Sequence, residues 1–225
     1  MNTVKVIIDY LHSQYPDKVN IVDIGGEYAM RFELGGQLKN GTRERVKLAV
    51  FRAVEIYKQS LGLDEVLLVC EVYQSGFMGR KLPKKNYLNE LLREFEMKKL
   101  NGTFTTTITY EQIVVGGELK EVEKPYEMEL PFNTLLLGIV KMNESLLFKI
   151  LEGKANEEMG FEPSISEDIT FFSIDKGVGF RMYDDRGCDV WAKKIEFLNN
   201  LYENLNDWIL DYDRPEIDKM FEENK

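Results

Sequence analysis

Apolar positions along this chain repeat with two periods. Val4, Ile7, Ile8 and Leu11 recur at helical spacing and are broken by Lys5 and Asp9, which reads as an amphipathic helix rather than a signal peptide. Asn20–Ile24 and Tyr28–Leu34 read as strands joined by a tight hairpin at Gly25-Gly26. In the second of them Tyr28, Met30, Phe32 and Leu34 alternate with Ala29, Arg31 and Glu33, the period of a half-buried strand. Thr42 then caps a long helix to about Leu61. Val46, Ala49, Val50, Ala53, Val54, Tyr57 and Leu61 recur along it at three and four, and Gly62 ends it. Val66–Tyr73 is nearly unbroken apolar sequence, as expected of a central strand.

Gln74–Lys85 is rich in Gly, Pro and basic residues and reads as a loop, followed by a helix with Leu88, Leu91, Leu92 and Phe95 on one face. Thr103–Val115 and Leu119–Phe132 read as long antiparallel strands around Gly116-Gly117. Thr103, Thr105, Thr107 and Thr109 face one way in the first of them, and Phe104, Ile108 and Tyr110 the other. Asn143 opens a helix carrying Leu146, Leu147, Ile150 and Leu151.

The last third is the most patterned. Ile169–Ile174 and Val178–Tyr183 form a hairpin across Asp175-Lys176-Gly177; a turn at Asp184-Asp185-Arg186-Gly187 leads into a short strand at Asp189–Ala192. One helix carries Ile195, Leu198, Leu201, Tyr202 and Leu205. A final helix opens at Asp213, where Asp213 and Glu216 have capping-box spacing and Pro215 sits in the first turn. Hairpins rather than regular strand–helix alternation argue an α+β fold. The expected architecture is a mostly antiparallel sheet with packed helices, one unit over residues 1–225, in which residues 155–222 pack on the N-terminal part and cannot fold alone.

Composition refines this picture. Apolar residues at 44% and charged residues at 30% are the balance of an ordinary globular chain. No apolar run reaches the ~18–20 residues that cross a bilayer, and two distant cysteines make no disulfide framework, so the expected compartment is the cytoplasm. Over residues 1–150, 20 Lys and Arg balance 20 Asp and Glu; residues 151–225 hold 9 against 19 and carry the whole net charge of −10. That asymmetry disfavours nucleic acid and anionic membranes as partners and suits a basic protein such as a nuclease.

Catalytic signatures are sparse. His12 is the only histidine, which removes two-histidine mechanisms and HExxH zinc sites and leaves a surface role for it. Cys70 and Cys188, 118 positions apart, form no CxxC knuckle. There is no Walker loop and no GxSxG elbow, and Gly177-Val178-Gly179 lacks the third glycine of a dinucleotide fingerprint. Carboxylate chemistry remains: Asp184, Asp185, Asp189, Asp207, Asp211 and Asp213 would hold a divalent cation if they converged. Asp211, Asp213 and Glu222 fall at positions 1, 3 and 12 of an EF-hand loop, but Pro215 and Glu216 occupy positions that motif cannot give them. Asp213 is better read as a helix cap, and Asp184 and Asp185 as turn formers. Arg186 is expected to pair with a nearby carboxylate such as Asp189 or Asp211. Trp191 and Trp208 read as core residues, and as binding anchors if exposed.

Met182-Tyr183-Asp184-Asp185-Arg186-Gly187-Cys188-Asp189-Val190 and Asn206-Asp207-Trp208-Ile209-Leu210-Asp211-Tyr212-Asp213-Arg214, with Gly160-Phe161-Glu162-Pro163-Ser164-Ile165 before them, carry a resemblance. Residues from about 155 to 222 resemble a bacterial domain-of-unknown-function family, the one numbered three-eight-eight-five. Residues 1–150 resemble it more loosely, through Met30-Arg31-Phe32-Glu33-Leu34-Gly35. Trp191 departs from the pattern, where a smaller residue is usual. The family carries no established activity; small acidic proteins of this kind accompany secreted bacterial toxins, so the resemblance points toward immunity proteins. The leading expectation is therefore a non-enzymatic protein-binding role without a cofactor, with Asp184, Asp185, Arg186, Asp189, Trp191, Asp207, Trp208 and Asp211 as candidate partner-binding or structural residues. The alternatives are a carboxylate- and divalent-metal-dependent hydrolase or transferase, and a structural or regulatory domain without a dedicated ligand. Convergence of the carboxylates would favour the enzyme; their spread over a broad patch would favour binding.

Overall fold

The computed structural model describes residues 26–72, 86–100, 103–115, 118–131 and 134–224. The helix read at Val4–Leu11 with His12, the strand Asn20–Ile24 with its Gly25 turn, the loop Gln74–Lys85 and the Gly116-Gly117 turn lie outside the described residues.

Among the described residues seven strands form one sheet: β1 (Tyr28–Glu33), β2 (Glu65–Val72), β3 (Lys98–Leu100), β6 (Thr134–Lys141), β7 (Asp168–Ser173), β8 (Val178–Met182) and β9 (Gly187–Ala192). Their order is β1-β9-β8-β7-β2-β6-β3, and every neighbouring pair is antiparallel. β4 (Thr103–Val115) and β5 (Glu118–Pro131) pair with each other in a separate antiparallel ribbon, with a register shift between Ile108 and Tyr110. The facing read for the threonines of β4 lies outside what is described. Among the described residues five α-helices accompany this framework, and the fold is α+β, as the hairpin-rich pattern predicts.

The alternation read in β1 holds: Met30 and Phe32 are buried while Ala29 and Arg31 face outward. The register then runs one apolar row across the sheet, Met30 beside Val190, Val190 beside Phe180, Phe180 beside Phe171 and Phe171 beside Leu68, each at most 1% exposed. Helix α1 (Arg43–Ser60) lies over that row. Thr42 caps it by accepting from the Arg45 N–H at 3.3 Å, and Gly62 leaves it with φ +77°, a conformation that costs glycine little. Tyr57 of α1 meets Phe171 and Phe180 edge-on, with centroids 5.1 and 5.4 Å away. Helix α3 (Glu144–Met159), capped by Asn143, packs against α1 and buries Leu147, Ile150 and Leu151. β2 is an inner strand with Val66 to Cys70 buried throughout, as its unbroken apolar run requires.

Several expectations need correction. Helix α2 spans Tyr87–Leu92 and ends before Phe95, which lies in the turn after it. β6 and β3 do not stand out in the pattern: Gly138 interrupts the apolar run of β6, and β3 is only three residues long with two lysines. The sulfur of Met97 and the carbonyl of Glu96 crowd the space a Cβ would need there. The single helix read from Ile195 to Leu205 is three pieces: a 3-10 turn at Ile195–Phe197, α4 (Asn199–Asn204) and a 3-10 turn at Asn206–Trp208. Leu198, Leu201 and Leu205 are buried even so. Helix α5 (Arg214–Glu223) begins after Asp213, but the Asp213 side chain makes no capping hydrogen bond and pairs with Arg31 instead.

Candidate partner-binding face and cleft

The eight sequence candidates fall in three places. Asp184, Asp185 and Arg186 form the β8–β9 turn at one end of the sheet. Asp184 is a turn former as expected: its Oδ1 accepts from the Arg186 N–H at 2.7 Å. Arg186 closes back on that same carboxylate through Nε at 2.9 Å and through Nη2, so it pairs with neither Asp189 nor Asp211. Two residues of separation make Asp184 the nearest partner, and Asp189 is engaged elsewhere. Asp185 is not a local turn former: it pairs with Arg45 of α1, and both are buried. Arg45 also donates to the Leu38 carbonyl at 2.7 Å, and Leu34 N–H donates to the Arg186 carbonyl at 2.9 Å. Two ion pairs and a backbone bond tie this end of the sheet together, while Asp185 Oδ1 is buried without a hydrogen-bond partner among the described residues.

Asp189 and Trp191 point the other way, onto the sheet face opposite the main helices. Register places Arg31, Asp189 and Arg181 side by side on β1, β9 and β8, and Ala29, Trp191 and Gly179 in the next row. Asp189 accepts from Arg31 Nε at 3.1 Å and stands 3.8 Å from Arg181 Nη2. The bond to Asp189 raises the Arg31 pKa, and burial, followed by the charge of Asp189, pushes the Tyr183 phenol up. Trp191, 9% exposed, lies across Gly179; a Cβ there would stand about 2.2 Å from the indole. Among the described residues, the indole Nε1 and the Nε of Arg181 are both buried without a hydrogen-bond partner. These residues line a cleft of about 880 Å³ whose other wall is α5, with Glu216, Lys219 and Glu223.

Asp207, Trp208 and Asp211 belong to the third place, the segment between α4 and α5. Trp208 is partly buried, set edge-on to Phe51 at 6.2 Å, with the Arg52 guanidinium 5.2 Å from its ring. Asp207 and Asp211 are exposed. Arg214 grips this segment from within: it donates to Asn206 Oδ1 at 2.8 Å, to the Asn206 carbonyl at 2.9 Å and to the Ile209 carbonyl at 3.3 Å, and stands 3.5 Å from Asp211. Behind it Tyr202 stacks on Phe221 with centroids 4.0 Å apart and donates to Asp218 at 2.8 Å. Tyr212 is 87% exposed on this braced loop and follows the exposed Asp211; Asp207, earlier in the segment, and Glu203 on α4 are exposed too.

The carboxylates are therefore spread out rather than gathered. Among the described residues no three His, Cys, Asp or Glu side chains stand together as they would around a metal ion. Nor is any helix there long and apolar enough to cross a membrane. Sequence reasoning did not single out Arg31, Arg45, Arg181 or Tyr212. For Arg45 a signal existed, since it directly precedes Val46 on the buried stripe of α1.

A family model described as a domain of unknown function (DUF3885) matches residues 7–213. The chain belongs to this family. The DUF3885 match runs well beyond the 155–222 region where the motifs are densest: it takes in β1, α1 and the whole seven-stranded sheet, and ends at the residue before α5. An uncharacterized protein, YnaE of Bacillus subtilis (strain 168), is 25% identical over 226 residues, which span 92% of this chain and 98% of that relative. No solved structure matches.

Proposed function

We propose that this DUF3885 protein is a non-enzymatic binder of a basic protein, in the manner of a bacterial immunity protein that neutralises a toxin. The observation that carries the reading is the braced loop between α4 and α5, where Tyr212 is largely exposed next to the exposed Asp211, with Asp207 on the same segment and Glu203 on α4 exposed as well, on the part of the chain that holds all the net charge. Tyrosine anchors are enriched where interfaces concentrate their binding energy, and exposed carboxylates on the same part of the surface steer a cationic partner by long-range attraction. The internal hydrogen bonds of Arg214 support it further, because a loop already held in shape loses little freedom on binding.

The test is capture of a partner from the native host, followed by association kinetics with that purified protein. The partner should be basic, and its on-rate should fall about tenfold or more when Glu203, Asp207 and Asp211 become Gln, Asn and Asn, and fall steeply with added salt. Tyr212→Ala should raise the off-rate while leaving the melting temperature unchanged. An acidic partner, or an on-rate indifferent to all three changes, would remove the proposal.

A further inference from the structure

We infer that the cleft between α5 and the outer face of β1, β9 and β8 receives a short lysine- or arginine-bearing segment of the partner; this rests on the reading of a basic protein partner. Two kinds of group in the cleft ask for opposite halves of such a ligand. Trp191 Nε1 and Arg181 Nε, on residues that line the cleft, are N–H donors shielded from solvent, and among the described residues neither has an acceptor. Buried donors in folded proteins almost always have one, so this part of the cleft is short of oxygen atoms. A peptide carbonyl is a neutral acceptor of the right kind. The Arg181 side chain is 39% exposed, and its 3.8 Å contact with Asp189 is long, so its guanidinium can swing outward and admit that oxygen.

At the walls the balance is acidic: five carboxylates line the cleft against three cationic side chains, and two of those cations, Arg31 and Arg181, already face Asp189. A simple anion is therefore repelled, while a chain with a carbonyl inside and an ammonium or guanidinium at the rim meets both demands. Glu216 and Glu223 are exposed on α5 and supply the rim, Glu223 standing 3.6 Å from Lys219 in a solvent-exposed i,i+4 pair that a ligand cation can share. The volume of about 880 Å³ is in the range that accommodates a ligand larger than a single small metabolite.

The full chain, labelled with nitrogen-15, gives two indole N–H signals, assigned to Trp191 and Trp208 with Trp208→Phe. Titration with a blocked four-residue peptide of alternating lysine and glycine should shift the Trp191 signal and leave the Trp208 signal in place. The matching glutamate–glycine peptide should shift neither. The double variant Glu216→Gln/Glu223→Gln, altered at exposed positions that leave the fold intact, should bind the lysine peptide at least tenfold more weakly. A silent Trp191 signal, an equal response to the glutamate peptide, or unchanged affinity in the double variant would overturn the inference. If a basic partner docks through Glu203, Asp207 and Asp211 while Trp191 stays silent, the cleft assignment alone falls. If the lysine peptide binds the cleft and no basic protein associates with the chain, it is the broader reading that falls.

Discussion

Arg45 of α1 and Asp185 of the β8–β9 turn, 140 residues apart in sequence, form an ion pair in which the Asp185 side chain is 1% exposed. Removing one partner strands a buried charge, which costs about 3–5 kcal/mol. Arg45→Met and Asp185→Asn should each lower the melting temperature by roughly 10 °C or more at this chain length. Arg186→Ala, whose side chain is 68% exposed on the same turn, should cost only about 1 kcal/mol. Thermal melts of the three variants check the order, and an Arg186→Ala loss as large as that of Arg45→Met would contradict it.

Gly179 is where it is because Trp191 lies on it. Gly179→Ala should therefore destabilise by about 1–3 kcal/mol through overpacking and shift the tryptophan emission to the red as the indole lifts. Paired with Trp191→Val, the same change should cost much less. A double-mutant cycle in chemical denaturation measures the coupling, and a coupling near zero would show that the contact is not tight.

Burial pushes the thiols of Cys70 and Cys188 up. In the unfolded chain they ionise near 8.5, so the unfolded state sheds these protons first as pH rises. Their contribution to stability is therefore intact below about pH 8.5 and declines above it, by about 1.4 kcal/mol per pH unit for each thiol. Melting temperatures between pH 7 and pH 10 should fall, and fall less steeply in Cys70→Ala/Cys188→Ala. The native thiols should also react far more slowly with iodoacetamide at pH 8 than those of the chain in denaturant.

Residues 155–225 expressed alone should not fold. β7 is bonded to β2 and β9 to β1, and the apolar row of the sheet is covered by α1 and α3. Circular dichroism of that fragment should show no cooperative melt; a sharp transition would mean that the last third is self-sufficient.

Much of the fold was legible because its signals are local. Thr42, Gly62 and Asn143 mark helix ends through their own side chains or backbone, and the alternation in β1 names its buried face directly. What pairs with what is not local. Nothing near Met30 says that its neighbour is Val190, and nothing near Asp189 says that Arg31 rather than Arg186 will reach it. Asp213 shows the limit of a spacing rule: it has the right interval for a capping box, but a cation from β1 competes for its carboxylate and wins. The candidate residues were likewise found as residue types, while their division among a closed turn, a cleft and an exposed loop is set by the strand order.

The pairing of β1 with β9 also sets a clock on synthesis. Tyr28 leaves the ribosome 164 residues before its partner Ala192, an interval of about 10–30 s at ordinary translation rates. Throughout that time Met30 and Phe32 lack β9, the strand they lie against in the finished sheet. A nascent chain of this kind waits with an apolar edge on offer, which makes it a natural client for chaperones that bind extended hydrophobic segments. Its folding rate should be governed by that long-range closure rather than by its helices.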